Sequence, residues 1–202
     1  MTAECAPLDN VVRPGEVNGP SGIGLTDRRF VGQVNLRVRG SAIVAAGRAL
    51  GYGLPTSANT TAGDGTSRAC WLGPDEWLIV SDDGRQAEVI QHLSAALAVD
   101  PHAVTDVTDA RAVLRLAGAC ARPVLAKGCQ LDLHPRAFGP DRVAQSLIAR
   151  AQVMILPIEG GAGYDLFVAR SFAGYLWDWL LDAGAEYGIR TEGSHQRGTS
   201  DA

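Results

Sequence analysis

The segment AKGCQLDLHPRAF, from Ala126 to Phe138, sets a thiol (Cys129), a carboxylate (Asp132), an imidazole (His134) and a guanidinium (Arg136) within eight residues of one another. Three chemistries could use such a set: metal ligation, attack by a thiolate, or proton transfer by the carboxylate. Zinc sites favour paired short spacings such as C-x2-C or H-x3-H. None occurs here, because Cys129 and His134 stand five apart and the other body histidines, His92 and His102, fall in a predicted helix and the loop after it. No metal site is expected. A thiolate nucleophile needs an electropositive, partly exposed setting, which Lys127, His134 and Arg136 could supply, and also an oriented base, which spacing does not reveal. A cysteine directly after a helix-ending glycine is more often a packed turn residue, so no catalytic residue is assigned. Asp132, between Leu131 and Leu133, faces away from both leucines in an extended segment, either solvated or at the mouth of a cleft. Pro135 holds His134 extended, and the stretch reads as a structural elbow in which His134 and Arg136 can bond carbonyls of this chain or of a neighbour.

Other loops offer no stronger chemistry. The glycine-rich GGAGYDL lacks a lysine and opens a strand rather than a helix, so it is turn chemistry and not a phosphate cradle. There is no Walker pattern and no dinucleotide fingerprint. With 18 basic against 22 acidic side chains, the chain has no field that would recruit nucleic acid or an anionic membrane. No run approaches the roughly 20 apolar residues of a membrane span, and the start MTAECAPLDN has no signal-peptide character. A cytoplasmic protein is expected. Four irregularly spaced cysteines agree with a reducing compartment.

The elements that must position these groups repeat along the chain. In VNLRVRG, Val34, Leu36 and Val38 alternate with polar residues, and VLRLAG does the same with Leu114 and Leu116 around Arg115, which predicts strands with one face on a core. Each strand ends in a glycine, Gly40 or Gly118. A short helical stretch follows, stopping at Gly51 or Gly128, where a left-handed cap is expected. Two further stretches, residues 70–97 and 154–183, each read strand, turn, strand, helix. The expected fold is therefore α+β: one domain over residues 30–188, made of tandem β-α-β-β-α units (about 30–100 and 103–188) around a mainly antiparallel sheet. Residues 137–150 are an expected addition to the second unit, with RVAQSLIAR as an extra strand. Residues 1–29 are expected to form a loose or partner-bound arm, and residues 189–202 a polar tail.

In the last helix Ser171 is the expected N-cap and Gly184 the stop. Phe172, Tyr175, Leu176, Trp179 and Leu180 follow the spacing of a core face, which leaves Trp177 and Leu181 at its flank. Those two are candidates for a partner interface or for cover by another helix of this chain.

DVTDARAVLRLAGACARPVLAKGCQLDL, with GYDLFVARSFAGYLWDWL behind it, resembles the folate-binding domain of the aminomethyltransferase (T-protein) superfamily. The motifs LGPDEWLIV, LAKGCQLDLHPRAF and FVARSFAGYLWDWL, in this order, resemble the gamma-subunit family of heterotetrameric sarcosine oxidase over roughly residues 30–188. That resemblance implies a complex of alpha, beta, gamma and delta chains that demethylates sarcosine to glycine and makes hydrogen peroxide, using FAD, FMN, NAD and tetrahydrofolate. It implies that the flavins, NAD and folate belong to the larger chains and that gamma is an accessory chain, with no cofactor of its own. By pattern the superfamily's folate-side acid falls on Asp132, although Leu131 stands where an Asn is usual. The alternative is a folate-binding one-carbon transfer protein acting alone, with Asp132 as acid or base and Asp165 or Arg170 as ligand contacts. A redox protein using Cys120 and Cys129 is a third reading. Trp177, Leu181, His134 and Arg136 are the expected partner contacts.

Overall fold

Val34, Leu36 and Val38 are buried and Arg37 is exposed, so their alternation produces a strand, β2 (Gly32–Val38), with one apolar face. A computed structural model of the chain describes residues 22–82 and 84–192. β2 runs into α1 (Ala42–Leu50), then β3 (Thr61–Gly63), β4 (Ser67–Gly73), β5 (Glu76–Ser81) and α2 (Gln86–Ala96). The second unit repeats this order with β7 (Arg111–Ala117), α3 (Ala121–Ala126), β8 (Ala144–Ile148), β9 (Ala151–Pro157), β10 (Gly163–Ala169) and α4 (Ala173–Gly184). β8 is therefore the counterpart of the three-residue β3 and not an addition peculiar to the second unit.

Three more strands complete two sheets. β1 (Ile23–Asp27) precedes β2 in the chain but pairs with β7, whereas β6 (His102–Asp106) precedes β7 but pairs with β2. Each unit thus lends its first strand to the other's sheet. The sheet orders are β11-β1-β7-β10-β9-β8 and β3-β4-β5-β2-β6, where β11 (Ile189–Glu192) is the edge strand beside β1. Every pairing is antiparallel except that of β1 with β11.

Four layers result, because each sheet carries helices on its outer face and meets the other sheet on its inner face. One core joins Leu114, Leu116, Val153, Ile155 and Leu166 to α3 and α4, and another joins Val34, Leu36, Trp77 and Ile79 to α1 and α2. The third lies between the sheets, where Leu78, Val113, Met154 and Phe167 meet. The layers are also stitched at one edge. Thr61 N–H donates to Asp141 O at 2.7 Å and Val143 N–H to Asn59 O at 3.1 Å, around a bridge between Thr60 and Arg142.

Several expectations change. The proposed arm ends before residue 23, since Ile23 and Leu25 are buried in β1, and the tail begins later than residue 189, since Ile189 is buried in β11. Strands of four or five residues flanked by glycine carry too little periodicity to be read. The rest of both stretches, 1–21 and 193–202, lies outside the described residues. Gly51 is the left-handed cap expected, with φ 83°. Gly128 has no positive φ and serves another purpose: a Cβ there would stand 2.5 Å from Trp179 Cζ2, so its bare backbone admits the indole.

The hairpin between β8 and β9 turns at Ala149, whose φ is 51°. A left-handed alanine costs roughly 1–2 kcal/mol, which glycine avoids while losing some of that gain to unfolded-state entropy. Ala149→Gly is therefore expected to stabilise the chain by about 0.5–1 kcal/mol, read as a higher urea midpoint with an unchanged slope. A lower midpoint would contradict that strain.

Candidate functional site: the cleft between the sheets

Along β7, Leu114 and Leu116 face the helices, so Val113 and Arg115 face the opposite sheet. β10 runs antiparallel to it with Asp165 directly opposite Arg115, and Phe167 opposite Val113. The apolar pair closes the inter-sheet core. Beyond it the same face turns charged and the sheets part, leaving a cleft of about 640 Å³. Val31, Val80 and Leu156 supply its apolar lining, and its charges balance, with Arg28, Arg68 and Arg115 against Asp82, Asp141 and Asp165.

Both oxygens of Asp165 are engaged. Arg115 donates from Nε at 2.7 Å and Nη2 at 2.8 Å, a bidentate fork, and Arg28 donates from Nη1 at 3.1 Å. Asp165 is only 5% exposed, and its hydrogen bond raises the Arg115 pKa further above its ordinary value. Arg28 belongs to the segment that leaves one sheet for the other, and its second carboxylate, Asp82, lies 3.9 Å away and is largely exposed. Ser81 ends β5 at the cleft, but its buried side chain shares the face of Trp77 and Ile79 and lies beside Gln86 at the start of α2. The rim comes from the β3–β4 hairpin. There Asp64 Oδ1 accepts the N–H groups of Thr66 and Ser67 and the Thr66 hydroxyl, bonds that hold its carboxyl below the usual range.

The AKGCQLDLHPRAF segment lies elsewhere. Asp132 Oδ1 accepts the His134 N–H at 2.9 Å, His134 Nδ1 accepts the Arg136 N–H at 3.3 Å, and all three residues are exposed. Cys129 and Leu133 are buried, and the Tyr164 hydroxyl donates to Leu133 O at 3.0 Å. It is an elbow braced by its own polar groups. His134 and Arg136 are exposed, and the His134 ring is engaged by the Arg136 N–H and not by a carbonyl.

Tetrahydrofolate, the group that the superfamily resemblance implies, does not fit these residues. The acid nominated by pattern, Asp132, is no part of the cleft lining, and Asp165, which is, already spends both oxygens on arginines. Arg170 leaves the far end of β10, five residues or roughly 16 Å of strand from Asp165, with its guanidinium 3.9 Å from Asp109. The structure does not bring the three together.

The last helix also needs correction. Its buried stripe is Ala173, Leu176, Trp177, Leu180, Ala183 and Gly184, so Trp177, at 1% exposure, is core and not partner surface. Leu181 is half-buried against the same core. Small residues set this phase: a Cβ on Gly184 would lie 2.9 Å from Ile189 Cδ1, so the helix approaches through its alanines and glycine. Phe172 and Tyr175, expected inside, are exposed and meet edge to face at 6.4 Å. Ser171 makes no cap, because a 3-10 turn over Arg170–Phe172 leads into the helix.

The cysteines separate by environment. Burial pushes the Cys70 thiol up to about 12, while Cys120 is half-buried. Cys120 and Cys129 stand at opposite ends of α3, roughly 10 Å apart by helical rise, beyond the 7 Å Cα limit of a disulfide. In the native chain at pH 8, maleimide is expected to label Cys120 within minutes and Cys70 only on unfolding, as located by peptide mass spectrometry. Equal labelling of the two would contradict the packing between the sheets.

Residues 38–186 match the family model described as "SoxG: Sarcosine oxidase, gamma subunit family". The chain is 34% identical over 187 residues, 90% of its length and 89% of the relative's, to a sarcosine oxidase subunit gamma of Corynebacterium sp. (strain U-96). A chain of the heterotetrameric sarcosine oxidase from Corynebacterium sp. U-96 superposes with a TM-score of 0.83 at 31% identity, covering 96% of this chain and 98% of that one. The glycine cleavage system aminomethyltransferase T of Bartonella henselae gives a TM-score of 0.64 at 16% identity, over 85% of this chain and 48% of that one, a likeness of fold alone. The four-layer fold, the three sequence motifs and a match that runs nearly end to end agree: this chain belongs to the sarcosine oxidase gamma subunit family.

Proposed function

We propose that this chain serves as the non-catalytic gamma subunit of a cytoplasmic heterotetrameric sarcosine oxidase, docked on alpha, beta and delta chains that carry the oxidation. The observation that carries this reading is the superposition on a chain of a heterotetrameric sarcosine oxidase with both chains covered almost completely. The site chemistry supports it. The one buried carboxylate of the cleft is held by two arginines instead of being poised as a base. No helix among the described residues is long and apolar enough to cross a membrane. The flavins, NAD and tetrahydrofolate implied by the family resemblance are assigned to the other chains. His134, Arg136 and the Phe172–Tyr175 pair are the surface groups available for docking.

Co-expression of the four chains tests this. Native mass spectrometry of the purified oxidase is expected to find one copy of this chain per particle, and the chain alone is expected to give no peroxide from sarcosine. A complete, active particle without this chain, or turnover by the chain alone, would overturn the assignment.

A further inference from the structure

The side of α4 turned away from the sheet carries groups that the fold does not use. Phe172 and Tyr175 are 45% and 38% exposed, and Trp179, one turn on from Tyr175, is half-buried. Asp178 and Asp182 are exposed on the same side. At 100° per residue Tyr175, Asp178, Trp179 and Asp182 share one arc of the helix, across from the buried Ala173, Leu176, Trp177 and Leu180, and Phe172 extends that arc at its N-terminal end. Aromatic rings left in water mark an interface centre more than a solvated helix face.

The charge of this face is one-sided. α4 contains two acids and no base. Among the described residues Asp178 and Asp182 form no ion pair, and Lys127, the cation at the C-terminal end of the helix, is already bonded to Glu186 and to the Ala183 carbonyl. Four residues apart, the two carboxylates repel across one turn, an arrangement that disfavours the isolated helix and is relieved by a cation set between them. A guanidinium suits that place, because it forks to carboxylates and also stacks on aromatic rings.

We propose that this face of α4 docks on an arginine-bearing segment of another chain of the oxidase, with the guanidinium at Asp178 and Asp182 and the apolar neighbours of that arginine on Phe172 and Tyr175. This rests on the subunit reading and adds the surface used and the chemistry of the partner. A second copy of this chain is a poor occupant, because a two-fold contact of α4 with itself would bring four aspartates together.

Wild-type and variant chains, carrying different tags, are co-expressed at equal level with the other three chains, and their ratio in the purified oxidase is read by mass spectrometry. Asp178→Lys with Asp182→Lys is expected to be incorporated at least about tenfold less than wild type. Phe172→Ala with Tyr175→Ala is expected to fall several-fold while the urea midpoint of the isolated chain stays nearly unchanged. Asp178→Asn with Asp182→Asn serves if the lysine variant does not fold, again with a several-fold loss. Incorporation of the charge variants equal to wild type overturns the proposal and leaves the subunit reading standing, whereas absence of the wild-type chain from the particle sinks that reading and the proposal with it. Hydroxyl-radical footprinting gives a second readout, in which Phe172 and Tyr175 are expected to be oxidised in the chain alone and protected in the oxidase. Protection already present in the chain alone overturns the partner segment in favour of residues 1–21 or of a second copy, which native mass separates.

Discussion

Trp177→Ala lowers the stability of the isolated chain by about 3–5 kcal/mol, the cost of emptying a fully packed indole site. Trp177 is 1% exposed and sits among Leu176, Leu180 and the apolar face of β7 and β10, so nothing nearby can collapse into the space without moving the sheet. The measurement is urea unfolding of the chain alone, before any partner is added. On the same helix Phe172→Ala and Tyr175→Ala are expected to shift stability by less than about 1 kcal/mol, since both side chains already meet water. The contrast distinguishes core from docking surface. If the Trp177 variant lost under 1 kcal/mol while failing to join the other subunits, the indole would be an interface group after all.

Asp165→Asn is expected to cost about 2–3 kcal/mol, somewhat under the range for breaking a fully buried pair because both arginine side chains keep about a third of their surface in water. The substitution strands two guanidiniums at the junction of the sheets and replaces three charge-assisted hydrogen bonds by, at best, one neutral oxygen's share. Arg115→Gln in the Asp165→Asn background should then cost far less than it does alone, the signature of a shared interaction in a double-mutant cycle. Additive losses would show that Arg115 and Asp165 stabilise the chain independently. The loss should also depend less on salt than that of an exposed bridge, because Asp165 is buried while its arginines are only partly exposed.

How far the site could be read from the residues follows from these two positions. The alternation of VLRLAG predicts one core face and sets Arg115 on the other, yet the strand is covered on both faces, by helices and by the second sheet. Alternation reports that two faces differ, not what lies against the polar one. Asp165 was named for the wrong task, since its partner is assigned by the register of β10 on β7, and neither a spacing nor a local motif encodes that register. Arg28 was missed altogether. It falls in a stretch whose prolines and glycines masked a five-residue strand.

The β-α-β-β-α order within each half, the α+β class and the family were legible in the chain itself, because each rests on short-range signals: period-two alternation, helix stops such as Gly51, and three motifs in a fixed order. Tertiary structure alone decided the exchange of β1 and β6 between the sheets, the phase of the last helix around Ala173 and Gly184, and the convergence of Arg28, Arg115 and Asp165. These depend on which surfaces come together across separations of up to 137 residues, as for Arg28 and Asp165. At that range the choice falls to packing of whole layers and to pairing of buried charge, both properties of the assembled fold that no stretch of neighbouring residues contains.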